Sequence, residues 1–252
     1  MTELRGFYTL WLREVKRYLR NRTRIISSFV QPLLWLVIFG TGVRFSGNIG
    51  GLTYQQFIFP GIIGQTLLFT SMFMGISVIW DKEFGFMKEI LVAPISRTSI
   101  FLGKMIGDST DAVMQGVIVF FLGIVLGVQI DPLMFLAVLP IMLLITFGLV
   151  SVGLTVASFI TDLESFGVIQ SFINLPLFFL SGALFPIRGD TVPAWLQAAS
   201  NLNPLTYGVD ALRTIILGGA HGLYPLYVDL AVLCLFDGAM IVIGTWTFSR
   251  MK

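Results

Sequence analysis

Charged residues are scarce in this chain of 252 residues. They make up 12% of it, about half the share found in an ordinary soluble domain, whereas hydrophobic residues make up 56%. In water this much apolar surface would form large exposed patches, but a lipid bilayer solvates it directly. The composition therefore predicts an integral membrane protein and argues against a soluble one.

Other scarcities exclude further classes of protein. Cys234 is the only cysteine, so no intrachain disulfide can form. The net charge of +2 is too small to indicate nucleic-acid binding. The single His221 has no second ligand beside it, and we predict neither a metal site nor a bound cofactor. The first apolar run begins only at Ile25 and ends without a small-residue cleavage site, so we expect no removable signal peptide.

Six largely uncharged runs approach the roughly 20 residues that a helix needs to cross about 30 Å of hydrocarbon. They predict an all-α integral membrane protein with six transmembrane helices. The runs extend from Ile25 to Val43, Phe57 to Ile79, Ala112 to Val128, Leu133 to Ile160, Phe166 to Ile187 and Leu226 to Phe248.

The basic residues indicate how these helices are oriented. Cytoplasmic flanks of membrane helices retain Lys and Arg, and with the N-terminus inside, 13 of the 16 basic residues fall in inner segments. We therefore predict a multi-pass protein of the plasma (inner) membrane with both termini in the cytoplasm. The inner residues are Arg5, Arg13, Lys16, Arg17, Arg20, Arg22, Arg24, Lys82, Lys88, Arg97, Lys104, Arg250 and Lys252, and the outer ones are Arg44, Arg188 and Arg213.

Residues 1–24 are predicted to form an amphipathic interfacial helix along the inner membrane surface. On a helix their apolar residues form one stripe and their basic residues the opposite face. The alternative is a positively charged topology signal that happens to be helical, but such a signal would not need aromatic residues. The stripe comprises Leu4, Phe7, Tyr8, Trp11, Val15, Tyr18 and Leu19, and the basic face comprises Arg13, Lys16, Arg17 and Arg20.

Residues 80–94, between the second and third spans, carry another amphipathic pattern. Trp80, Phe84, Met87 and Leu91 lie three or four residues apart and form one apolar edge, and Pro94 ends the helix. A short helix of this kind, presented to the cytoplasm, is a docking element for a partner. The alternative is a connector that touches only lipid headgroups.

Residues 188–225, on the outer side, contain two short apolar pieces near Trp195 to Ser200 and Leu205 to Leu217. Asn203 and Pro204 predict a helix start, with Asn as the cap and Pro in the first turn. Both pieces are too short to span a bilayer. They therefore predict interfacial or re-entrant helices over the outer mouth, before the last span.

Two motifs stand out, one on the inner side and one on the outer side. The first is the loop DKEFGFMKEILVAPISR at 81–97, followed by Leu102, Gly103 and Lys104. The second consists of LSGALFP at 180–186, VPAWL at 192–196 and NPLTYGVDALR at 203–213. In this order on six predicted spans, they resemble the motifs of the ABC type-2 transporter permeases, and the resemblance covers 1–252 as a single transmembrane domain. Within that family the chain looks most similar to the daunorubicin-resistance-type permeases.

The resemblance implies a homodimer or pseudo-dimer in lipid, with two ATP-binding subunits beneath it that hold ATP and Mg²⁺. Residues 80–94 would be the coupling helix seated in an ATPase groove, 1–24 the connecting helix, and 188–225 the exit gate. The coupling residues would be Glu83, Phe84, Gly85, Met87, Glu89, Leu91 and Pro94, and the gate residues Pro186, Trp195, Pro204 and Tyr207.

The resemblance also places spans two and five at the dimer centre, on the translocation path. There, aromatic rings beside small or weakly polar residues offer stacking surface for a flat drug or a sugar. Ordinary lipid-facing phenylalanines are the alternative in a chain with 23 Phe. The candidates are Gln65, Phe69, Phe73, Phe172, Asn174 and Phe178.

The chain has no nucleotide-binding loop of its own around Gly103 and Lys104. A P-loop needs a glycine five residues before this pair and a hydroxyl residue after it, to hold the phosphates and Mg²⁺. Those positions are Thr98 and Met105. We therefore predict a non-enzymatic subunit without catalytic residues, driven by a partner or by an ion gradient.

Asp229 and Asp237 lie eight residues apart on one face of the last span. Intramembrane acids are costly and often functional, so this pair supports an ion-coupled carrier. The alternative is a structural hydrogen bond to another helix or to water. At the start of span three, the spacing of Lys104 and Asp108 predicts an ion pair on a surface turn.

Together with the resemblance, these patterns lead us to expect the permease subunit of an ATP-driven exporter for a hydrophobic or amphipathic molecule, drug-like or lipid-like. A polysaccharide or lipid-linked glycan exporter is the alternative within the same family. Outside the family, the alternatives are an ion-coupled secondary carrier and a membrane-embedded structural or assembly protein.

Overall fold

The computed structural model describes residues 2–20, 22–38, 51–92, 95–128, 130–187 and 192–251, with the backbone alone at 2, 4, 22–29, 88 and 91. The α-helices in these ranges confirm the predicted all-α fold. They are α1 Thr2–Arg20, α2 Arg22–Val37, α3 Tyr54–Phe73, α4 Ile76–Glu83, α5 Phe86–Val92, α6 Arg97–Val125, α7 Phe135–Phe159, α8 Leu163–Phe179, α9 Ala194–Asn201, α10 Pro204–Leu217 and α11 Leu226–Ser249.

Four helical stretches in the described residues are long and apolar enough to cross a membrane. One combines α3 and α4 over Tyr54–Glu83, and the others are α6, Pro132–Phe159 and α11. They correspond to the second, third, fourth and sixth predicted spans. The third begins at Arg97 rather than at Ala112, because the polar residues before Ala112 are buried by other helices instead of ending the helix.

The first and fifth predicted spans are less complete than expected. α2 ends at Val37, and the predicted continuation to Val43 extends into residues 39–43, which lie outside the described ranges. α8 is apolar but has only 17 residues, because the chain leaves the helix after Phe179 and turns at Gly182, where φ is +73°. The described residues thus contain four spans and one shorter apolar helix, where the sequence predicts six spans.

α3 and α4 form the centre of the bundle. Most residues of α3 are buried, against α6, α7, α8 and α10. Between α3 and α4 the helix is interrupted at Met74 and Gly75, and a Cβ at position 75 would overlap the backbone of Gly153 in α7. The glycine therefore permits α7 to pack directly on the interruption.

Both ends of the described chain lie at one end of the bundle, which we call the α5 end. α1 packs along the first half of α6, and the rings of Phe101 in α6 and Phe248 in α11 are 5.2 Å apart. Lys82 at the end of α4 donates to the carbonyl oxygens of Ala157, Ser158 and Ile160 at 2.6 to 3.1 Å. This ammonium group neutralises the negative C-terminus of α7.

The opposite end, which we call the α10 end, contains the start of α3, the turn after α8, and helices α9 and α10. The helices predicted near Trp195 to Ser200 and Leu205 to Leu217 are confirmed as α9 and α10. Ten of the 14 residues of α10 are buried, because it packs between α3, α7 and α11. α10 therefore lies within the bundle and not on its surface.

Candidate functional site

The loop at 80–94 is two helical pieces and not the single predicted helix. α4 continues to Glu83, the chain turns at Phe84 and Gly85, and α5 follows. Gly85 has φ of +78°, a conformation that glycine adopts without strain. Because of this turn, Trp80 and Phe84 do not share one helical edge with Met87.

α5 presents an exposed surface beside this turn. Met87 is buried and anchors the helix, whereas Glu83, Phe84, Phe86 and Glu89 are exposed. Of the other predicted coupling residues, Gly85 is half-buried, while the Leu91 side chain and Pro94 lie outside what the structure describes. The surface therefore combines acidic and aromatic side chains on a short, anchored helix.

α1 is fixed to α6 through two glycines. A Cβ at Gly103 would lie 3.0 Å from the Leu10 Cβ, and one at Gly107 would lie 2.8 Å from the Glu14 Cβ. Near the start of α6, the Glu3 carboxylate accepts hydrogen bonds from the Ser96 N–H at 3.0 Å and the Ser99 hydroxyl at 2.6 Å. α1 thus contacts other helices on one face, and its Tyr8 and Leu19 are exposed on another.

A cluster of buried charges joins α1, α4 and α6, and we call it the charge cluster. The Lys104 Nζ lies 3.1 Å from the Glu14 Oε1 and 2.7 Å from the Asp81 Oδ2. Arg17 pairs with Glu14 at 2.8 Å, and Arg13 pairs with Asp81. Lys104, Glu14 and Asp81 are almost completely buried, whereas the two arginines extend to the surface.

The charge cluster contradicts the predicted surface turn at Lys104 and Asp108. Lys104 has no exposed surface, and its carboxylate partners come from other helices, 90 and 23 residues away in sequence. Burying ions costs several kcal/mol each unless opposite charges and hydrogen bonds compensate. The three cations, Glu14 and Asp81 supply that compensation to one another, and the buried Asp108 adds a further negative charge near Lys104.

Electrostatics keeps Glu14 ionised despite its burial. Burial by itself raises the pKa of the Glu14 carboxyl, but Lys104, Arg17 and Arg13 outweigh it, and the pKa lies below its usual value. Burial also acts to lower the pKa of Arg13, and Asp81 and Glu14 more than offset this. Both groups of α1 are therefore charged at neutral pH.

Arg13 and Arg17 connect the charge cluster to the exposed surface. The Arg13 guanidinium carbon lies 5.9 Å from the centroid of the Phe86 ring in α5, and that of Arg17 lies 5.9 Å from the Trp80 ring in α4. Both distances are within the range of a cation–π interaction. A displacement of α5 would therefore be transmitted to α1 and, through Lys104, to α6.

The six predicted path residues do not line one continuous surface in the single chain. Gln65, Asn174 and Phe178 are buried, and Phe69 is half-buried with its ring 6.2 Å from that of Phe178. Phe73 and Phe172 are exposed. Most residues of α8 are also exposed. Among its polar residues, Ser171 is exposed and Gln170 is half-buried.

The predicted gate residues lie at the α10 end, where Tyr207 and the neighbouring Asn203 are hydrogen-bonded to the backbone. Asn203 caps α10 as predicted, and its amide also donates to the Leu177 carbonyl at 2.7 Å. The Tyr207 hydroxyl donates to the Asn201 carbonyl at 2.8 Å, and its ring stacks on that of Tyr224. Pro204 begins the helix, while Trp195 and Pro186 are exposed.

Asp210 and Arg213 also lie in α10, and neither was among the predicted gate residues. The Asp210 carboxylate accepts from the backbone N–H groups of Leu223 and Tyr224 at 2.8 to 2.9 Å, which fixes the segment before α11. Arg213 donates to the Gly182 carbonyl at 2.9 Å. The motif at 203–213 contains both residues, but their partners lie elsewhere in the chain.

Comparison with known proteins places this architecture in a family. Residues 5–217 match the family model described as ABC-2 type transporter. The chain belongs to the ABC-2 type transporter family. Among its curated relatives, the transport permease ycf38 of Cyanophora paradoxa is 37% identical over 200 residues, covering 77% of this chain and 68% of the relative.

Two bacterial relatives extend the comparison. Nodulation protein J of Rhizobium leguminosarum bv. trifolii is 26% identical over 215 residues, covering 84% of this chain and 80% of the relative. The inner membrane transport permease YadH of Escherichia coli (strain K12) is 25% identical over 240 residues, covering 93% and 91%. This ABC-2 chain is thus similar to membrane transport permeases over most of its length.

The acids of the last span lie beyond the residues that match the ABC-2 family model. Asp229 and Asp237 are buried in α11, and Asp237 lies against Gly148 of α7. Among the described residues Asp229 has no hydrogen-bond partner, whereas the Asp237 carboxylate interacts with the backbone of Gly148 without a well-aligned hydrogen bond. The predicted contact with a neighbouring helix is therefore present at Asp237 and is not seen at Asp229.

Proposed function

We propose that this ABC-2 chain is the membrane subunit of an ATP-driven exporter that moves a hydrophobic or amphipathic molecule, drug-like or lipid-like, out of the cytoplasm. Two partner subunits bind ATP and Mg²⁺ and hydrolyse the nucleotide, since the sequence around Gly103 and Lys104 lacks the P-loop residues. The observation that carries this proposal is the exposed α5 surface and its connection to buried charges.

The charge cluster gives α5 a mechanical role. α1 contributes Glu14, α4 contributes Asp81 and α6 contributes Lys104 to the charge cluster. If one of these helices moved alone, the buried ionic contacts between them would break, at a high cost. Movement of an ATPase bound at α5 would therefore displace the three helices together. The coupling residues of this function are Glu83, Phe84, Gly85, Met87, Glu89, Leu91 and Pro94.

A second copy of the chain completes the pathway in this proposal. α2 and α8 are neighbours, with the rings of Trp35 and Phe178 5.9 Å apart, and both have exposed apolar residues. A homodimer that joins these helices encloses the path between the copies. In it, α2 and α8 act as the first and fifth of six spans, and Phe172 faces the partner copy.

The α5 end faces the cytoplasm of a plasma (inner) membrane protein in this arrangement, and α1 lies at the inner membrane surface. Thirteen of the 16 basic residues belong to the segments predicted to be inside. After Cys234→Ser, a cysteine at Gly47 or Gly189 should react with an impermeant reagent applied to intact cells, and one at Gly85 should not. The opposite labelling pattern would reverse the topology.

Charge reversal on α5 tests the ATPase contact. We expect Glu89→Arg to leave the protein inserted and dimeric but to lower transport and transport-stimulated ATP hydrolysis, because the reversed charge meets a surface matched to an acid. Asp131→Arg, an exposed acid just before α7 and away from α5, is the matched control. Full activity and normal co-purification of Glu89→Arg with the ATPase would remove the assignment.

An ion-coupled carrier is the second candidate function. The observation that favours it is the pair of carboxylates at Asp229 and Asp237, both buried in a membrane helix with no cation paired to them among the described residues. Such groups in a membrane helix are candidates for proton or cation binding. The exporter is preferred because the exposed α5 surface has no role in a carrier that works alone.

A further inference from the structure

A cavity of about 150 Å³ lies at the α10 end, far from the charge cluster. Its apolar walls include Leu52, Phe57, Ile187 and Leu223, and its nitrogen-bearing side chains are Arg213 and His221. It therefore combines a mostly apolar surface with one permanent positive charge.

Arg213 is buried beside this cavity without a full set of partners. The residue is 3% exposed, its guanidinium carbon lies 4.3 Å from the centroid of the Phe57 ring, and one terminal nitrogen donates to the Gly182 carbonyl at 2.9 Å. The Nε has no hydrogen-bond partner among the described residues. A buried guanidinium with an unmet donor is costly, and an acceptor that reached it would lower that cost.

Asp210 does not provide that acceptor. It lies three residues before Arg213 on α10, and its oxygens accept the backbone N–H groups of Leu223 and Tyr224. Burial lowers the pKa of Arg213 to about 10, and the charge of Asp210 offsets this only in part. Arg213 is nevertheless protonated at neutral pH, so the cavity carries a charge that the nearest carboxylate compensates incompletely.

We propose that this cavity binds an oxyanion, a carboxylate or phosphate group that carries a short apolar stem. The planar guanidinium is suited to both oxyanions because its fork of N–H donors matches their oxygens. The apolar walls would contact the stem, and His221 is a second nitrogen donor on the wall. The site is separate from the coupling surface at α5 and does not depend on the proposed ATPase contact.

The volume limits what the cavity can hold. A cavity of about 150 Å³ takes a group of roughly the size of benzene. A carboxylate with two or three methylene groups fits, and so does a phosphate. A whole lipid does not, so a lipid would place only its headgroup there. The oxyanion can therefore come from a free small anion or from a lipid headgroup.

Binding can be measured on the full-length protein purified in detergent. The free-anion probes are butyrate and inorganic phosphate, with chloride at matched ionic strength as the reference, and the readout is the thermal midpoint from tryptophan fluorescence. The lipid probes are dioleoyl phosphatidic acid and dioleoyl phosphatidylcholine, and the readout is the bound lipid seen by native mass spectrometry. We expect saturable stabilisation by a free anion, or retention of the anionic lipid over the zwitterionic one.

Two variants test the site in independent ways. Arg213→Gln removes the charge and should weaken binding of the active probe by about tenfold or more, as for the loss of one charge-assisted hydrogen bond. Leu52→Trp fills the cavity, leaves Arg213 in place and should weaken binding similarly. Arg250→Gln is the control, because it removes an arginine that lies over Trp246 at the α5 end, and it should bind like the wild type.

The two probe families identify the source of the oxyanion. Stabilisation by butyrate or phosphate indicates a free anion, and selective retention of phosphatidic acid without a free-anion effect indicates a lipid headgroup. The proposal is overturned if no probe binds saturably, or if binding is the same in the wild type and Leu52→Trp. It is also overturned if a folded Arg213→Gln binds like the wild type. If Arg213→Gln does not fold, Leu52→Trp decides the result.

Discussion

The α5 end and the α10 end are held together by different kinds of contact. At the α5 end, side chains of three helices meet one another in the charge cluster around Lys104. At the α10 end, side chains mostly form hydrogen bonds with backbone groups. Asn203 bonds to the backbone of Leu177, Asp210 to that of Leu223 and Arg213 to that of Gly182. The first arrangement links helices into one unit, whereas the second consists of separate contacts.

This difference determines how each end can move. Removing one member of a buried ionic group leaves its partners charged and desolvated. The contacts within such a group therefore tend to form or break together. A bond between a side chain and the backbone can open while its neighbours remain in place, at about 1 kcal/mol for neutral partners and more for charged ones. The α5 end is thus suited to transmitting displacement, and the α10 end to local opening.

The largest effect should come from Lys104→Met. The variant leaves Glu14 and Asp81 buried without the cation between them, and we expect a loss of about 3 to 5 kcal/mol in the free energy of unfolding. Thermal unfolding in detergent, followed by tryptophan fluorescence, measures the loss. Adding Glu14→Gln and Asp81→Asn to the same variant removes the unpaired charges and should restore part of the stability. Equal stability of the wild type and Lys104→Met would contradict the charge cluster.

A smaller and more local effect is expected from Asp210→Ala. Three hydrogen bonds from the N–H groups of Leu223 and Tyr224 to the carboxylate are lost, at a net cost of about 2 to 3 kcal/mol once water replaces part of them. Hydrogen exchange should rise in residues 218–225 and stay unchanged in α1 and α6. Asp210→Asn keeps one acceptor oxygen and should lose less. Uniform exchange increases throughout the bundle would show that the α10 end is not independent.

The smallest effect is expected from Asp237→Asn, which lies between the two ends. The amide has nearly the same shape and can keep the contact with the Gly148 backbone of α7, and interhelical hydrogen bonds in membranes contribute about 1 kcal/mol or less. We therefore expect ATP-dependent transport to persist, with at most a slight decrease in the thermal midpoint. A folded Asp237→Asn protein that binds its ATPase but transports nothing, together with wild-type transport that depends on a pH gradient, would favour the carrier.

Local signals in the sequence predicted the elements that depend on neighbours in the chain. Asn203 and Pro204 predicted the start of α10 because the cap bonds to the N–H of Leu205, two residues later. The break at Gly85 also had a local signal, a glycine between Phe84 and Phe86, but the amphipathic spacing of the loop favoured one continuous helix. Where a turn residue and a periodic pattern disagreed, the turn residue was the better guide.

The contacts that define both ends could not be predicted in this way. Lys104 has carboxylate partners 90 and 23 residues away, and Arg213 meets a carbonyl 31 residues away. The nearest acid on the same helical face, Asp108, made an ion pair within α6 the simpler prediction. Helical periodicity shows which side a residue occupies on its own helix, but not which helix packs on that side.

The docking of α1 on α6 through two glycines also implies an order of events during synthesis. α1 leaves the ribosome before α6, and the residue of α6 that pairs with its Glu14 follows about 90 residues later. At about 5 to 20 residues per second, roughly 5 to 18 seconds pass before Gly103, Lys104 and Gly107 are available. Until then the nascent α1 lacks the helix on which most of its buried face packs, and its amphipathic pattern favours adsorption to the lipid surface. Docking on α6 is therefore a late step in the biogenesis of this membrane protein.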